Sequence, residues 1–407
     1  MMLLRRGQAL QSLRCLSIST AWSESEEMLR NSVRRFADEV IRPKVLEMDT
    51  KQKLDEHVLK GLFDQGLLGI EVAEEYGGSE FGFCSSLLAI EEIARVDPSV
   101  AVLVDVQNTL VNAIFSKYGN SEQKEEWLSK LSSESVGAFC LTEPTVSSDA
   151  FSLKTRADKD EIGNFLINGT KTWVSNALEA EVFLVLATVD PNLEHRGVTC
   201  FIIPRDAHGL KIGQPEAKLG IRASSTCSLT LTDVRLSSSH ILGGVGNGYD
   251  LAIETLGHSR LGVAALMLGL AQGALDCTLK YVHDKYQYDP SLNSFKGVQF
   301  QVAQMATELE ALRSFIYTTA RKKMNGHHIT DQAAKCKLFA AQVAERLASS
   351  SVELHGGVGF TSAYPAEKFY RDAKIGAVYA GSNNMMKNII AKHLLHETSS
   401  LNKHRHH

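Results

Sequence analysis

The sequence predicts an α+β protein built as a helical block, a β block and a second helical block. The main observation behind this is a switch of hydrophobic period. Apolar residues recur at spacings of three and four from Ser23 to about Val136, at spacing two from about Gly137 to Leu242, and at three and four again from about Tyr249 to His396. Length agrees, since 407 residues make two to three domains of about 150 residues each. Composition agrees too: 22% charged and 44% hydrophobic residues with 8 prolines exclude a disordered or collagen-like chain. The expected division is a leader over 1–22, helical domain 23–136, β domain 137–246, helical domain 247–396 and a flexible tail 397–407.

Each block carries its own local pattern. In the first, EEMLRNSVRRFADEVIRPKVLEMD (26–49) is amphipathic, Gly77 and Gly78 break the pattern in EEYGG, and it resumes as SSLLAIEEIARVD. In the second, VFLVLATV (182–189), VTCFII (198–203) and SLTLTDVRL (228–236) read as strands, and Asn168-Gly169 is the strongest short hairpin motif. In the third, RLGVAALMLGLAQGALDCTLKYV (260–282) and DQAAKCKLFAAQVAERLASSSVELHGG (331–357) read as long helices, the latter stopped by Gly356 and Gly357.

Charge and special segments narrow the partners. With 43 Lys plus Arg against 47 Asp plus Glu, the net charge of −4 gives no basic field for a nucleic-acid backbone, which excludes that class. The longest apolar run, Leu261–Leu275, is broken by small and polar residues, so no transmembrane segment is expected. The 7 cysteines are scattered without a CxxC pair, which fits a reduced compartment and no zinc cluster. The KHRHH end reads as a solvated tail, so no metal site is expected. Residues 1–22 contain Arg5, Arg6 and Arg14 and no acidic residue, the composition of an organelle transit peptide.

Two segments could carry chemistry. Phe139–Ala157 (FCLTEPTVSSDAFSLKTRA) gathers Thr142, Ser147, Ser148 and Asp149 after a short strand, where hydroxyls and free N–H groups can hold a ring edge or a pyrophosphate; an ordinary polar turn has the same composition. In NGTKTWVSN, Trp173 and Ser175 share one strand face and could stack on and hydrogen-bond a flat heterocycle, while a core tryptophan fits equally well.

With these segments, AKLGIRASST, HGGVGF and YPAEKFYRDAKIGAVYAGSNN stand in order across residues 23–396, and the chain resembles the acyl-CoA dehydrogenase family, most closely its mitochondrial short/branched-chain (2-methylacyl) members. The resemblance implies a β-barrel or sandwich middle domain, a C-terminal four-helix bundle, a homotetramer in the mitochondrial matrix, and FAD as cofactor. It also implies an acyl-CoA substrate and electron-transferring flavoprotein as redox partner. Carried over by position, Phe139, Cys140, Leu141, Thr142, Glu143, Ser147 and Ser148 would line the flavin with Trp173, Val174 and Ser175. Glu353, Leu354, His355, Gly356 and Gly357 would approach the ADP portion from an adjoining subunit, Lys285 would keep a positive charge for a phosphate, and Ser382, Asn383 and Asn384 would complete the site. Ser148, Tyr249 and Arg260 would contact acyl-CoA.

The family's catalytic base has no counterpart. The glutamate of its Tyr-Glu-Gly string is Ala380 here, and the alternative position before the helix arginine is Ser259, preceded by His258. General-base catalysis supplies about 10²–10⁴ in rate. His258, read at a helix start, is the one substitute in the neighbourhood, its imidazole titrating near neutrality. Two functions therefore stand: FAD-dependent α,β-dehydrogenation of short or branched acyl-CoA, or a dehydrogenase-like protein that keeps acyl-CoA or FAD binding with catalysis impaired or lost.

Overall fold

The structure, a computed structural model, describes residues 22–145, 152–285 and 291–403, with side chains to residue 395. The leader and the Val146–Phe151 part of the serine-rich loop lie outside these residues. In the first domain, helices α1 (Glu24–Phe36), α2 (Val45–Lys51), α3 (Glu56–Asp64), α4 (Phe83–Ala94), α5 (Pro98–Asp105), α6 (Ala113–Tyr118) and α7 (Ser121–Ser133) follow one another. Their starts are set by local chemistry. Ser23 and Glu26 form a capping box on α1, Asn120 and Gln123 form one on α7, and Asp97 caps α5 with Pro98 behind it.

Strands β1 (Val136–Cys140), β2 (Arg156–Lys159), β3 (Phe165–Ser175), β4 (Ala180–Thr188), β5 (Val198–Pro204), β6 (Leu210–Ile212), β7 (Thr226–Leu236) and β8 (Ile241–Leu242) form one sheet in the order β6-β7-β3-β2-β4-β5-β8, with β1 parallel to β4. The unbroken apolar run of β4 is explained by burial on both faces. Val182, Leu184 and Leu186 join the core shared with the helices, and Phe183, Val185 and Ala187 join the core of the β domain.

One sequence expectation fails here. Asn168-Gly169 is not a hairpin turn: β3 runs straight through it, and the β2–β3 turn is made instead by the Asp160–Asn164 segment. Gly169 marks a register shift against β7, at φ +154°, where a Cβ would sit 2.5 Å from Thr155 Oγ1. The glycine serves close backbone approach rather than chain reversal.

The third domain consists of α8 (Gly248–Asp284), α9 (Lys296–Met324), α10 (Thr330–His355), the short α11 (Ala366–Ala373) and α12 (Asn383–Lys403). Gly356, at φ +63°, ends α10 as the sequence indicates. Helix α12 continues to Lys403, beyond residue 396 where the flexible tail was expected to begin. Two helical stretches, Pro98–Tyr118 and Gly248–Asp284, are by length and composition long and apolar enough to cross a bilayer. However, 89% and 83% of their most apolar windows is buried inside the protein, so what they traverse is its own core.

All three domains meet at α11. Lys368 Nζ bonds Asp97 Oδ1 at 3.0 Å and Asp372 Oδ2 at 2.6 Å, while Asp372 Oδ1 accepts the Ile221 N–H of the β domain at 2.5 Å. Asp97 and Asp372 are fully buried. Arg371 next to them reaches Asp49 Oδ2 at 2.8 Å and the Leu219 carbonyl at 3.2 Å. Replacing Lys368 by Met leaves two buried carboxylates without their cation, and the expected cost is about 3–5 kcal/mol. Denaturant unfolding of the variant checks this; a loss under 1 kcal/mol would refute the central role given to Lys368.

Candidate functional site

The candidate residues sit on the end of β1, the middle of β3, the first half of α8 and the turn that leads into α12. The loop after β1 is held by a buried ion pair. Lys171 Nζ of β3, fully buried, donates to Glu143 Oε1 at 2.8 Å and to the Leu141 carbonyl at 3.1 Å. Glu143 also accepts the Lys154 and Thr155 N–H groups. Burial works to raise the Glu143 carboxyl, but Lys171 and these N–H groups outweigh it and hold the group below the usual range. The side chain of Glu143 is thus committed, as is Cys140, which lies in the β core; what both offer a ligand is backbone. Leu141 is buried, Phe139 half-buried, and the Thr142 carbonyl accepts the Thr172 N–H at 2.9 Å.

Beyond Lys171 the ladder with β7 shifts register, and the bulge turns Trp173 outward at φ +59°, 63% exposed. A strained, solvent-facing indole is a poor core residue. Val174 beside it is buried, while Ser175 is half-buried on Trp173's side of the strand. Ser147 and Ser148 lie outside the described residues.

On α8, Tyr249 sits in the first turn with its ring 5.0 Å from that of His195. Arg260 is 9% exposed; its Nε has no hydrogen-bond partner, and burial lowers its pKa. His258 is well inside the helix rather than at its start. It lies about 200° around α8 from Arg260, with its ring 6.2 Å from that of Phe83. Burial and the Lys323 charge press its pKa down to about 4. The structure does not bring His258 to the Ala380 turn.

That turn is Tyr379-Ala380-Gly381. Ala380 and Gly381 have φ of +52° and +93°, and the Gly381 carbonyl accepts a hydrogen bond from Lys337 Nζ of α10 at 2.6 Å. Ser382 Oγ accepts the Met385 N–H at the start of α12, the Asn383 Oδ1 is buried without a partner, and Asn384 is exposed.

The remaining candidates gather elsewhere. Lys285 follows α8, 25 residues past Arg260, about 37 Å along one helix at 1.5 Å per residue. It lines a cavity of about 600 Å³ with Arg42, Arg95, Lys280, Tyr281 and Tyr364. His355 stacks on Tyr281 with centroids 4.3 Å apart and bonds the Ser351 carbonyl at 2.7 Å; its Nε2 is buried without a partner. A Cβ on Gly356 or Gly357 would meet nothing within 4 Å. Leu354 packs on the core, and Glu353 accepts the Ser349 hydroxyl. The two groups of candidates thus lie towards opposite ends of α8 in one chain.

The sequence reading missed three residues. Lys337 is fully buried on the stripe Ala333, Ala334, Ala340, Ala341 and Ala344, and a lone lysine at that spacing is the motif that could have revealed it. Asp105 interrupts the run SVAVLVDV. It is 1% exposed, accepts the Thr109 hydroxyl at 2.8 Å, and packs on α8, where a Cβ on Gly262 would lie 1.9 Å from Oδ1. Tyr379 has a buried hydroxyl without a partner, its pKa raised by burial and then by the Asp105 charge.

The matched family models are the acyl-CoA dehydrogenase N-terminal domain over residues 23–135, middle domain over 138–234 and C-terminal domain over 246–395. The rat mitochondrial short/branched chain specific acyl-CoA dehydrogenase is 48% identical over 93% of this chain and 88% of its own length. Butyryl-CoA dehydrogenase from Megasphaera elsdenii superposes with a TM-score of 0.90 at 32% identity, covering 92% of this chain and 99% of that one. A Mycobacterium smegmatis glutaryl-CoA dehydrogenase in complex with FADH2 gives 0.87 at 29% identity, covering 92% and 95%.

Burial raises the Asp105 pKa from 3.8 to about 7 against the Thr109 hydrogen bond. Its folded pKa exceeds its unfolded one, so this contribution to stability is fully present below pH 4 and is lost as pH rises through about 7. Asp105→Asn should remove that slope and gain up to about 4 kcal/mol relative to wild type above pH 8. Parallel unfolding curves from pH 4 to 9 check this; identical slopes would refute it.

Proposed function

This chain belongs to the acyl-CoA dehydrogenase family, and we propose that it is a mitochondrial, homotetrameric flavoprotein. In this reading it removes hydrogen from Cα and Cβ of a short or branched acyl-CoA and passes electrons to electron-transferring flavoprotein. The observation that carries the reading is the pair of half-sites. An exposed indole on a strained bulge lies at one end. A cavity lined by Lys280 and Lys285 together with Asp276 and Asp284, near open glycines and the orphaned His355 Nε2, lies at the other, an arrangement that suits a flavin adenine dinucleotide shared between copies.

The residues present fit FAD. Trp173 and Ser175 would cover the ring system, with the backbone at Leu141 and Thr142 along its edge. Asn383 Oδ1 would find its missing partner there. Lys285, His355, Gly356 and Gly357 would hold the diphosphate and adenosine from the neighbouring copy, glycine letting the backbone approach phosphate. When bound, FAD supplies the hydride acceptor for the acyl β-carbon. The chain's own residues do the rest. Tyr249 and Arg260 would position the thioester, and the Ala380 N–H, on a turn pinned by Lys337, would donate to the thioester carbonyl and make the α-proton more acidic.

A second reading is favoured by Ala380 itself. Its methyl group takes no proton, Ser259 supplies no carboxylate, and His258 faces elsewhere, so binding is retained while turnover falls by about 10²–10⁴. Anaerobic titration with 2-methylbutyryl-CoA distinguishes the two. Bleaching of the flavin band within the mixing time supports the first reading, and a band that shifts without bleaching supports the second. Ala380→Glu should raise the bleaching rate by about 10²–10⁴. If a flavin-loaded variant shows no gain, the missing carboxylate is not the defect.

A further inference from the structure

Two buried cations stand at the Ala380 turn and neither is ion-paired among the described residues; the carboxyl nearest the turn, Asp105, accepts the Thr109 hydroxyl instead. Arg260 is 91% buried, its Nε has no partner, and it forms no ion pair among the described residues. Lys337 is fully buried, and its one recorded bond is to a neutral carbonyl, Gly381 O. Helix packing puts them side by side: a Cβ on Gly376 would lie 2.5 Å from Sδ of Met267, two turns past Arg260 on the same face of α8, and 3.4 Å from Cα of Ala341, one turn past Lys337 on α10; in keeping with this, burial first and the Arg260 charge second bring the Lys337 pKa down to about 8. Most buried cations elsewhere in this fold are matched, Lys171 by Glu143 and Lys368 by Asp97 and Asp372. Taking a charge out of water without a counter-charge costs several kcal/mol.

We propose that Arg260 and Lys337 form a binding site for a small free carboxylate, seated against the Ala380 methyl. This goes beyond the proposed dehydrogenation and does not depend on it. The donor set points to a planar monoanion. A guanidinium fork matches the two oxygens of a carboxylate, and the ammonium has two N–H groups left after bonding Gly381. The apolar neighbours at the turn, the Ala380 methyl and the Met386 methyl, which would lie 2.7 Å from a Cβ on Gly381, suit a short alkyl tail better than a tetrahedral dianion.

The probe is sodium acetate, added to the flavin-loaded protein without acyl-CoA and compared with sodium chloride and sodium phosphate at equal ionic strength. At about 0.1 M acetate the thermal midpoint should rise by about 2–5 °C over chloride, as mass action gives for a site of millimolar affinity. Carbon-13 acetate should show protein-dependent line broadening. Ala380→Glu, which places a carboxylate there in cis, should raise the midpoint in chloride and abolish the response to acetate. Lys337→Met and Arg260→Gln should each abolish the line broadening, which reads out on whatever fraction remains folded. No acetate-specific shift or broadening in wild type overturns the proposal, as does an undiminished response in Ala380→Glu. Equal or larger stabilisation by phosphate overturns the carboxylate assignment. Because flavin bleaching by acyl-CoA is scored separately, failure of this site and failure of the dehydrogenase reading give different results.

Discussion

Lys368 and the two carboxylates it joins hold one domain to the next. Asp97 caps a helix of the first domain, Asp372 belongs to the last, and the Ile221 amide that Asp372 accepts belongs to the sheet. A buried cation shared by two anions is stable only if every partner stays in place, because losing one leaves a charge in a medium that cannot solvate it. Only ten residues separate Lys368 from Tyr379, so the positions of Tyr379, Ala380 and Gly381 are tied to this junction. The close approach of the β domain, where a Cβ on Gly220 would lie 2.4 Å from the Arg371 carbonyl, adds a steric lock to the electrostatic one.

The same electrostatic rule makes the site distinctive. Around β1 and β3 the protein satisfies a buried lysine with a glutamate and uses the pair to fix a ligand-facing loop. At the α12 turn it buries Lys337 against a neutral carbonyl and leaves Arg260 without an ion-pair partner among the described residues. The resemblance to acyl-CoA dehydrogenases accounts for the scaffold, and Ala380 accounts for the imbalance.

Much of this was legible before any coordinates. The period switch located the domains because burial on one face or one stripe must repeat with the geometry of its element. Gly356 ended its helix where glycine commonly does. Other local motifs misled. Asn168-Gly169 has hairpin composition, but the passage of Thr155 decides what that glycine does. His258 was judged by chain neighbours, whereas its environment is set by α4 and α9, which sequence distance conceals. Lys337 and Asp105 were visible as polar breaks in apolar stripes, yet a break does not say what it meets.

The sequence by itself determined the order of the domains, the chemistry available at each position and the absence of a carboxylate at residue 380, since these depend on residue identity and short-range periodicity. Only the tertiary structure decided which charges find partners. Among the described residues Lys368 and Lys171 meet carboxylates, and Arg260 and Lys337 do not, because pairing depends on where separate elements meet and on how far water is excluded there. Those are properties of packing, which no spacing along the chain encodes.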